Sequence, residues 1–464
     1  MITSSWFLIF VLIPTGLLLL WHCFFRPSII LYALALAVSF IAVNIHVGFT
    51  IYASRVFLLM LIVVIVLRSL IYGKSGIYLN INPVFVILFI LILFVQSLSL
   101  PLAENPVEHA RIMFIYVSMM AIFIAVLILG SSIKALKKAV RFFLGFGIVQ
   151  GAVGVYQVVG AIQGWPMYQK LIYGNQADTI KTGNPRHLMG VFYSGFDAMP
   201  RAFGFLSDVN QYGGYLVVVI LLALAFLVFN RRDILAYLAL FFGGAGLVLS
   251  LSRSAWLTLI VFGLPALIFL MKRAGFFSHR LRGLMIRIGF VVMLILAAGF
   301  FANQKGLFNI QEVISKRIVS FVSNESSAEG HILTRLAALD AWKTSPLIGI
   351  GFDYIYSGWY SARYDHLWFG AHSHYFNVLA GCGIFGLGLE MFFMAVVFLY
   401  MWRGLNRSRS DSQERMLMVG LLAVFISILF GNLFYHYYMN DFVWFIMGCG
   451  VALSRRIVCE TKIS

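Results

Sequence analysis

Charge is what this chain has least of: Asp, Glu, Lys and Arg together make up 11% of its 464 residues, against roughly a quarter in an ordinary soluble domain. With 61% hydrophobic residues and a mean hydropathy of +0.94, a soluble globular fold is excluded. Length alone suggests about three domains. Apolar runs near the ~20 residues that cross a bilayer recur from end to end, however, so the sequence reads as one polytopic membrane unit. Cysteine is scarce as well. Cys23, Cys382, Cys449 and Cys459 are scattered along the chain, which indicates neither a disulfide framework nor a zinc motif. There is no P-loop, no dinucleotide fingerprint and no tandem pattern of broken helices, so nucleotide chemistry and a repeat-built transporter are both disfavoured.

The formal net charge of +17 would suggest a nucleic-acid partner in a soluble protein. Here the Lys and Arg residues gather in gaps between apolar runs, at residues 134–141, 231–232, 272–287, 403–415 and 455–462. That is the positive-inside pattern of cytoplasmic connections, and no nucleic acid is expected. Hydropathy predicts an all-α polytopic membrane protein of about 12–14 transmembrane helices. Its spans fall near residues 5–24, 28–47, 51–71, 83–100, 111–130, 139–160, 212–229, 234–251, 253–271, 286–302, 375–402, 416–434 and 440–454. That odd count puts the C-terminus inside and the N-terminus outside, with one helix fewer and both ends inside as the alternative. The first run has no basic leader and no small-residue cleavage site, and reads as a retained helix.

Two long gaps, residues 161–211 and 303–371, interrupt the short connections, and the charge rule places both on the outer face. Long loops on one face usually carry function. The chain thus divides into N-terminal helices (1–160), a loop (161–211), helices carrying an arginine motif (212–302), a large loop (303–374) and C-terminal helices (375–464).

Four stretches in or beside these loops carry candidate chemistry. At the mouth of a span stand His372-Ser373-His374, then Gly383-Ile384-Phe385-Gly386. A histidine there can be a general base at neutral pH, an interfacial cap, or, with His366 and His374, a metal ligand. No carboxylate at ligand spacing accompanies the metal reading. Ser252-Arg253-Ser254-Ala255-Trp256-Leu257 puts an arginine against the positive-inside bias. It either snorkels beside Trp256 or clamps an anion, since guanidinium is a permanently charged fork that matches phosphate. Arg201-Ala202-Phe203-Gly204 with Asn210 offers a second phosphate ligand, or a plain turn before a helix. Arg335 lies in a helix-like stretch from about residue 329 to 343, ahead of the glycine turn Pro346-Leu347-Ile348-Gly349-Ile350-Gly351; it either binds substrate or is a solvated charge.

His372-Ser373, nine residues, then Gly383-x-x-Gly386 resembles the signature of bacterial O-antigen ligases, and Arg253 through Leu257 resembles their companion R-x-x-x-L pattern. Arg201 to Gly204 with Asn210, and Arg335 with the Pro346 turn, are similar to segments of the wider superfamily that includes the Wzy-type polymerases. The resemblance spans about residues 190–400. One departure is that the family's proline-preceded asparagine is here Asp208-Val209-Asn210.

The resemblance implies a GT-C-like glycosyltransferase working on the periplasmic face of the inner membrane. Its donor would be an undecaprenyl-diphosphate-linked glycan. Its acceptor would be a sugar hydroxyl on lipid A-core or, for a polymerase, on a second lipid-linked repeat. His372 would be the catalytic base, Arg253 the diphosphate ligand and Arg201 its helper, with Arg335, Asn210 and His374 as further substrate-binding positions. The transfer would be direct and inverting.

A lipid diphosphate is already activated, so neither nucleotide nor cofactor is needed. The outer loops also lack a D-x-D pair for a divalent cation, which favours metal independence. The complete histidine signature favours the ligase over the polymerase. A lipid-linked sugar transporter would need charge deep within spans, where Glu390 is the clearest case. Aromatic residues of the outer loops, among them Trp165, Tyr173, Trp359 and Trp368, suit both sugar stacking and interfacial anchoring.

Overall fold

The computed structural model describes residues 21–39, 44–46, 50–72, 82–163, 192–193, 200–206, 208–276, scattered positions from 283 to 304, 325–354, 370–410 and 412–463. These are helical almost throughout: α1 (Ser28–Ala37), α2 (Ala53–Tyr72), α3 (Pro83–Leu98), α4 (Pro106–Leu129), α5 (Ile133–Gln163), α6 (Val209–Phe229), α7 (Ile234–Ser250), α8 (Arg253–Arg273), α9 (Glu325–Thr344), α10 (His374–Arg407), α11 (Gln413–Gly431) and α12 (Asp441–Ile463). Among the described residues nine helices are long and apolar enough to cross a membrane, while α1 and α7 are shorter apolar helices. The chain is an all-α polytopic membrane protein. The spans expected at 5–24 and 286–302 lie largely outside the described residues.

Two of the boundaries that differ from hydropathy have causes in the local sequence. The run at 28–47 is helical only through Ala37; Asn44–His46 (β1) then pairs antiparallel with Thr50–Tyr52 (β2), His46 opposite Thr50. Asn44 and His46 beside β-branched residues favour extended strands over continued helix. At the other boundary, Lys134, Lys137, Lys138 and Arg141 form the first turns of α5 rather than a connection. Lysine and arginine stems can lie along apolar surface there while their charges reach the interface.

Helix α6 is hydrophobic on every side, and 89% of its span is buried inside the protein, against 17% for α2. An all-round apolar helix belongs at the centre of a bundle, and α6 is packed against α7, α8 and α11. Helices α2 and α3 instead show apolar residues such as Leu59, Leu70 and Ile90 on the outside, as lipid-facing surfaces do. The two ends of the bundle are tied by ion pairs. At the basic end Arg141 meets Asp233 at 2.6 Å, and Asp233 also caps α7 through the Ala236 amide. At the opposite end Arg55 pairs with Asp441, which also accepts from Ser54.

The glycine signature marks a break in α10. Gly383 has φ 65° and ψ −166°, a conformation closed to residues with a Cβ. The turn after α9 crosses at this point. Ile350 and Gly351 donate to the carbonyls of Ala380 and Gly381, and Ile384 and Phe385 donate to those of Pro346 and Leu347, at 2.9–3.2 Å. A Cβ on Gly383 would collide with the Leu347 backbone, and one on Gly349 with that of Gly381. The two glycine motifs are therefore halves of one backbone-to-backbone joint that fixes the outer helix α9 against α10.

Candidate active site

At the end opposite the basic connections, α7 gives way to α8 through Leu251, a left-handed residue at φ 51°. Arg201 covers this corner. Its strand, Pro200–Arg201 (β4), pairs with Phe192–Tyr193 (β3), and its guanidinium donates to the carbonyls of Ser250 at 3.0 Å and Leu251 at 3.2 Å. Those carbonyls end a helix and have no intrahelical donor. The segment that follows is held by buried amides: Gln157 accepts from the Phe203 and Gly204 amides, and Gln150 from that of Phe205.

Ser252 caps α8 and donates to Asn210 Oδ1 at 2.7 Å. Asn210 stands in the first turn of α6, which Asp208 caps through the amides of Asn210 and Gln211. Tyr437, buried between α11 and α12, donates to Ser254 at 3.3 Å. These bonds fix the first turn of α8, and with it Arg253, from three sides.

His372 faces this corner from the start of α10. It too is left-handed, at φ 46°, an uncommon state for a residue with a side chain. The loop is pinned around it: Asn377 accepts from the Ala371 amide at 2.9 Å and from the Tyr354 hydroxyl at 2.7 Å. Ser373 and the His374 amide both donate to the Asn432 carbonyl. Burial, helped by the charges of His436 and Arg335 and opposed by Asp208, pushes His372 down to about 4. The ring is thus neutral at pH 7 and able to accept a proton.

Arg335 reaches in from α9, donating to the Leu433 carbonyl at 2.9 Å with its guanidinium 6.0 Å from the centre of the Phe376 ring. Its Nε is buried and has no partner among the described residues, and burial lowers its pKa.

The structure therefore brings together Arg253, Arg335 and His372, with Asn210 and Arg201 supporting the Arg253 corner. His374 is placed differently. It is 1% exposed, and its Nε2 lies 2.7 Å from Glu390 Oε2 deep in α10. It faces helix packing rather than the mouth: it opens α10 just after the left-handed turn at His372, and its ring is turned in to Glu390. The same bond gives Glu390, the clearest charge within a span, a local partner. His366 and the aromatic residues Trp165, Tyr173, Trp359 and Trp368 lie outside the described residues.

Two further histidines belong to the cluster and carried no pattern. His331 stacks edge-on against His372, with ring centroids 4.6 Å apart. His436 is half-buried and is driven to about 4 by desolvation, with Asp208 opposing and His374 assisting. His331 stands four residues before Arg335, a same-face spacing in a helix that could have flagged it.

Residues 238–391 match the family model described as O-Antigen ligase. No curated protein matches the chain. The matched segment contains Arg253, Arg335, His372 and both glycines of the α10 break, so the similarity to the O-antigen ligase family covers the part of the chain that builds this cluster.

Proposed function

We propose that this protein is an O-antigen ligase-like glycosyltransferase. It moves a glycan from undecaprenyl diphosphate to a sugar hydroxyl of lipid A-core on the extracytoplasmic face of the bacterial inner membrane. The observation that carries this reading is a neutral, largely buried His372 in one cluster with the cations Arg253 and Arg335, a base beside an anion site. His372 takes the proton of the acceptor hydroxyl as the oxygen attacks the anomeric carbon from the face opposite the diphosphate. The new C–O bond forms, the bond to the phosphate oxygen breaks with inversion, and the diphosphate leaves with the electron pair. Arg253 and Arg335 neutralise that departing charge, so no metal is required. Arg201, engaged with the end of α7, holds Arg253 in place and assists through its field. Asn210 acts through Ser252.

A base at about 4 is weak in the free enzyme. The arriving diphosphate corrects this, because an anion a few ångströms away favours imidazolium. His374 is assigned a structural part, fixing the first turn of α10 through Glu390. A Wzy-type polymerase would use the same base and clamp with a second lipid-linked repeat as acceptor.

The pH dependence tests the base. A base works only when unprotonated, and its lowered pKa keeps it so well below neutrality. In reconstituted transfer with a chelator present, kcat/KM is expected to stay level from pH 7 to about 5 and to fall as pH approaches about 4. The acid limb of kcat, which reports the donor complex, is expected at higher pH. An acid limb of kcat/KM at the ordinary histidine value of about 6.5, or activity that needs added metal, would contradict this scheme.

A further inference from the structure

The cluster holds a histidine that the transfer scheme does not use. His331 stands one turn before Arg335 on α9, so both side chains lie on one face of that helix, and α9 packs against α10. Its ring meets that of His372 edge to face at 4.6 Å between centroids. Charges act on it from three elements: His372 ahead of α10, Arg253 at the start of α8, and Arg335 on α9. With burial as the largest cause, these hold it at about 4, a neutral ring with one donor and one acceptor nitrogen.

We propose that His331 is a substrate-contacting, positioning residue whose neutral ring hydrogen-bonds a hydroxyl of the acceptor sugar, holding the attacking oxygen between His372 and the diphosphate on Arg253 and Arg335. This rests on the reading of the site as a glycosyl-transfer centre. The donor's anionic part already has permanent cations, to which an uncharged ring adds little. The acceptor hydroxyl must instead lie against His372, and His331 is in ring contact with it. The proton stays on His372: once that ring is charged, a second cation beside it and beside two guanidiniums is disfavoured, so no bond to His331 forms or breaks.

The test is steady-state transfer by the full-length protein in lipid nanodiscs, varying a lipid A-core acceptor and a lipid-linked oligosaccharide donor separately. In His331→Ala the acceptor KM is expected to rise about tenfold, the order of one lost hydrogen bond, while donor KM stays within about twofold of the unsubstituted protein. His331→Gln, which keeps a neutral donor and acceptor, is expected to recover most of the loss. The acid limb should not move, because His372 retains Arg335, Asp208 and His436 around it.

An unchanged acceptor KM in His331→Ala, or a rise in donor KM instead, would overturn the proposal. So would His331→Gln as impaired as His331→Ala with a displaced acid limb, since that marks a proton carrier. If the alanine variant does not fold, the glutamine variant gives the reading: near-native acceptor KM supports the role, and loss overturns it. His372→Ala separates the two levels. Full transfer by that variant sinks the glycosyl-transfer reading, whereas its inactivity beside an unaffected His331→Ala sinks the positioning role alone.

Discussion

Replacing His372 with Ala should lower transfer by about 10²- to 10⁴-fold, the usual contribution of a positioned general base, while leaving binding of the lipid-linked donor nearly unchanged. The separation follows from the division of labour in the cluster. In the proposed scheme the donor's charge rests on Arg253 and Arg335, and His372 meets the acceptor proton. The variant is also expected to fold. His372 sits in a left-handed turn secured by Asn377 and Asn432, and alanine is smaller than the ring it replaces. His372→Gln, which cannot take up a proton at neutral pH, should be as inactive as the alanine variant. Product formation by either at the unsubstituted rate would remove His372 from the chemistry. Loss of donor binding would move it to the donor site.

Arg253→Ala is expected to be the next most damaging change, costing about 10²- to 10³-fold in rate, with weaker donor binding as well. Its guanidinium starts α8 and is aligned by Ser252, Asn210 and Tyr437 acting on Ser252 and Ser254. Arg253→Lys keeps the charge but loses the planar fork that matches two phosphate oxygens, so it should restore only part of the rate. Full recovery by lysine would mean that charge alone suffices. Arg201→Ala should act differently. That side chain is engaged with the carbonyls of Ser250 and Leu251, and its loss should lower thermal stability along with activity. Donor titration against each variant, paired with a thermal melt, distinguishes the two arginines.

Much of this architecture was legible in the sequence because membrane folds obey a coarse rule. Every backbone polar group must be satisfied within the span, so apolar length predicts helices, and eleven of the expected spans correspond to described helices. The failures have local causes. The strand pair of Asn44–His46 with Thr50–Tyr52 interrupts an apolar run whose β-branched content hydropathy ignores. The first turns of α5 carry basic residues that charge counting assigns to a loop.

The cluster was legible where a motif carried it, at Arg253 and His372. It was opaque where tertiary contact alone defines a role. His331 carries no motif of its own, only its four-residue spacing from Arg335, and nothing in His374 foretells that it turns inward to Glu390. The meaning of the two glycine motifs was equally hidden, since Gly349 and Gly383 are needed only because their backbones cross.

The measurement that bears most directly on the account is reconstitution of the purified protein with a lipid-linked oligosaccharide, with and without lipid A-core and without added metal, followed by separation of products on a gel. The account predicts a single transferred product that forms only when the core acceptor is present and disappears in His372→Ala. A ladder growing from the lipid-linked donor alone would contradict ligation and identify a polymerase, and no transfer to either acceptor would contradict the assignment of this site to glycan transfer.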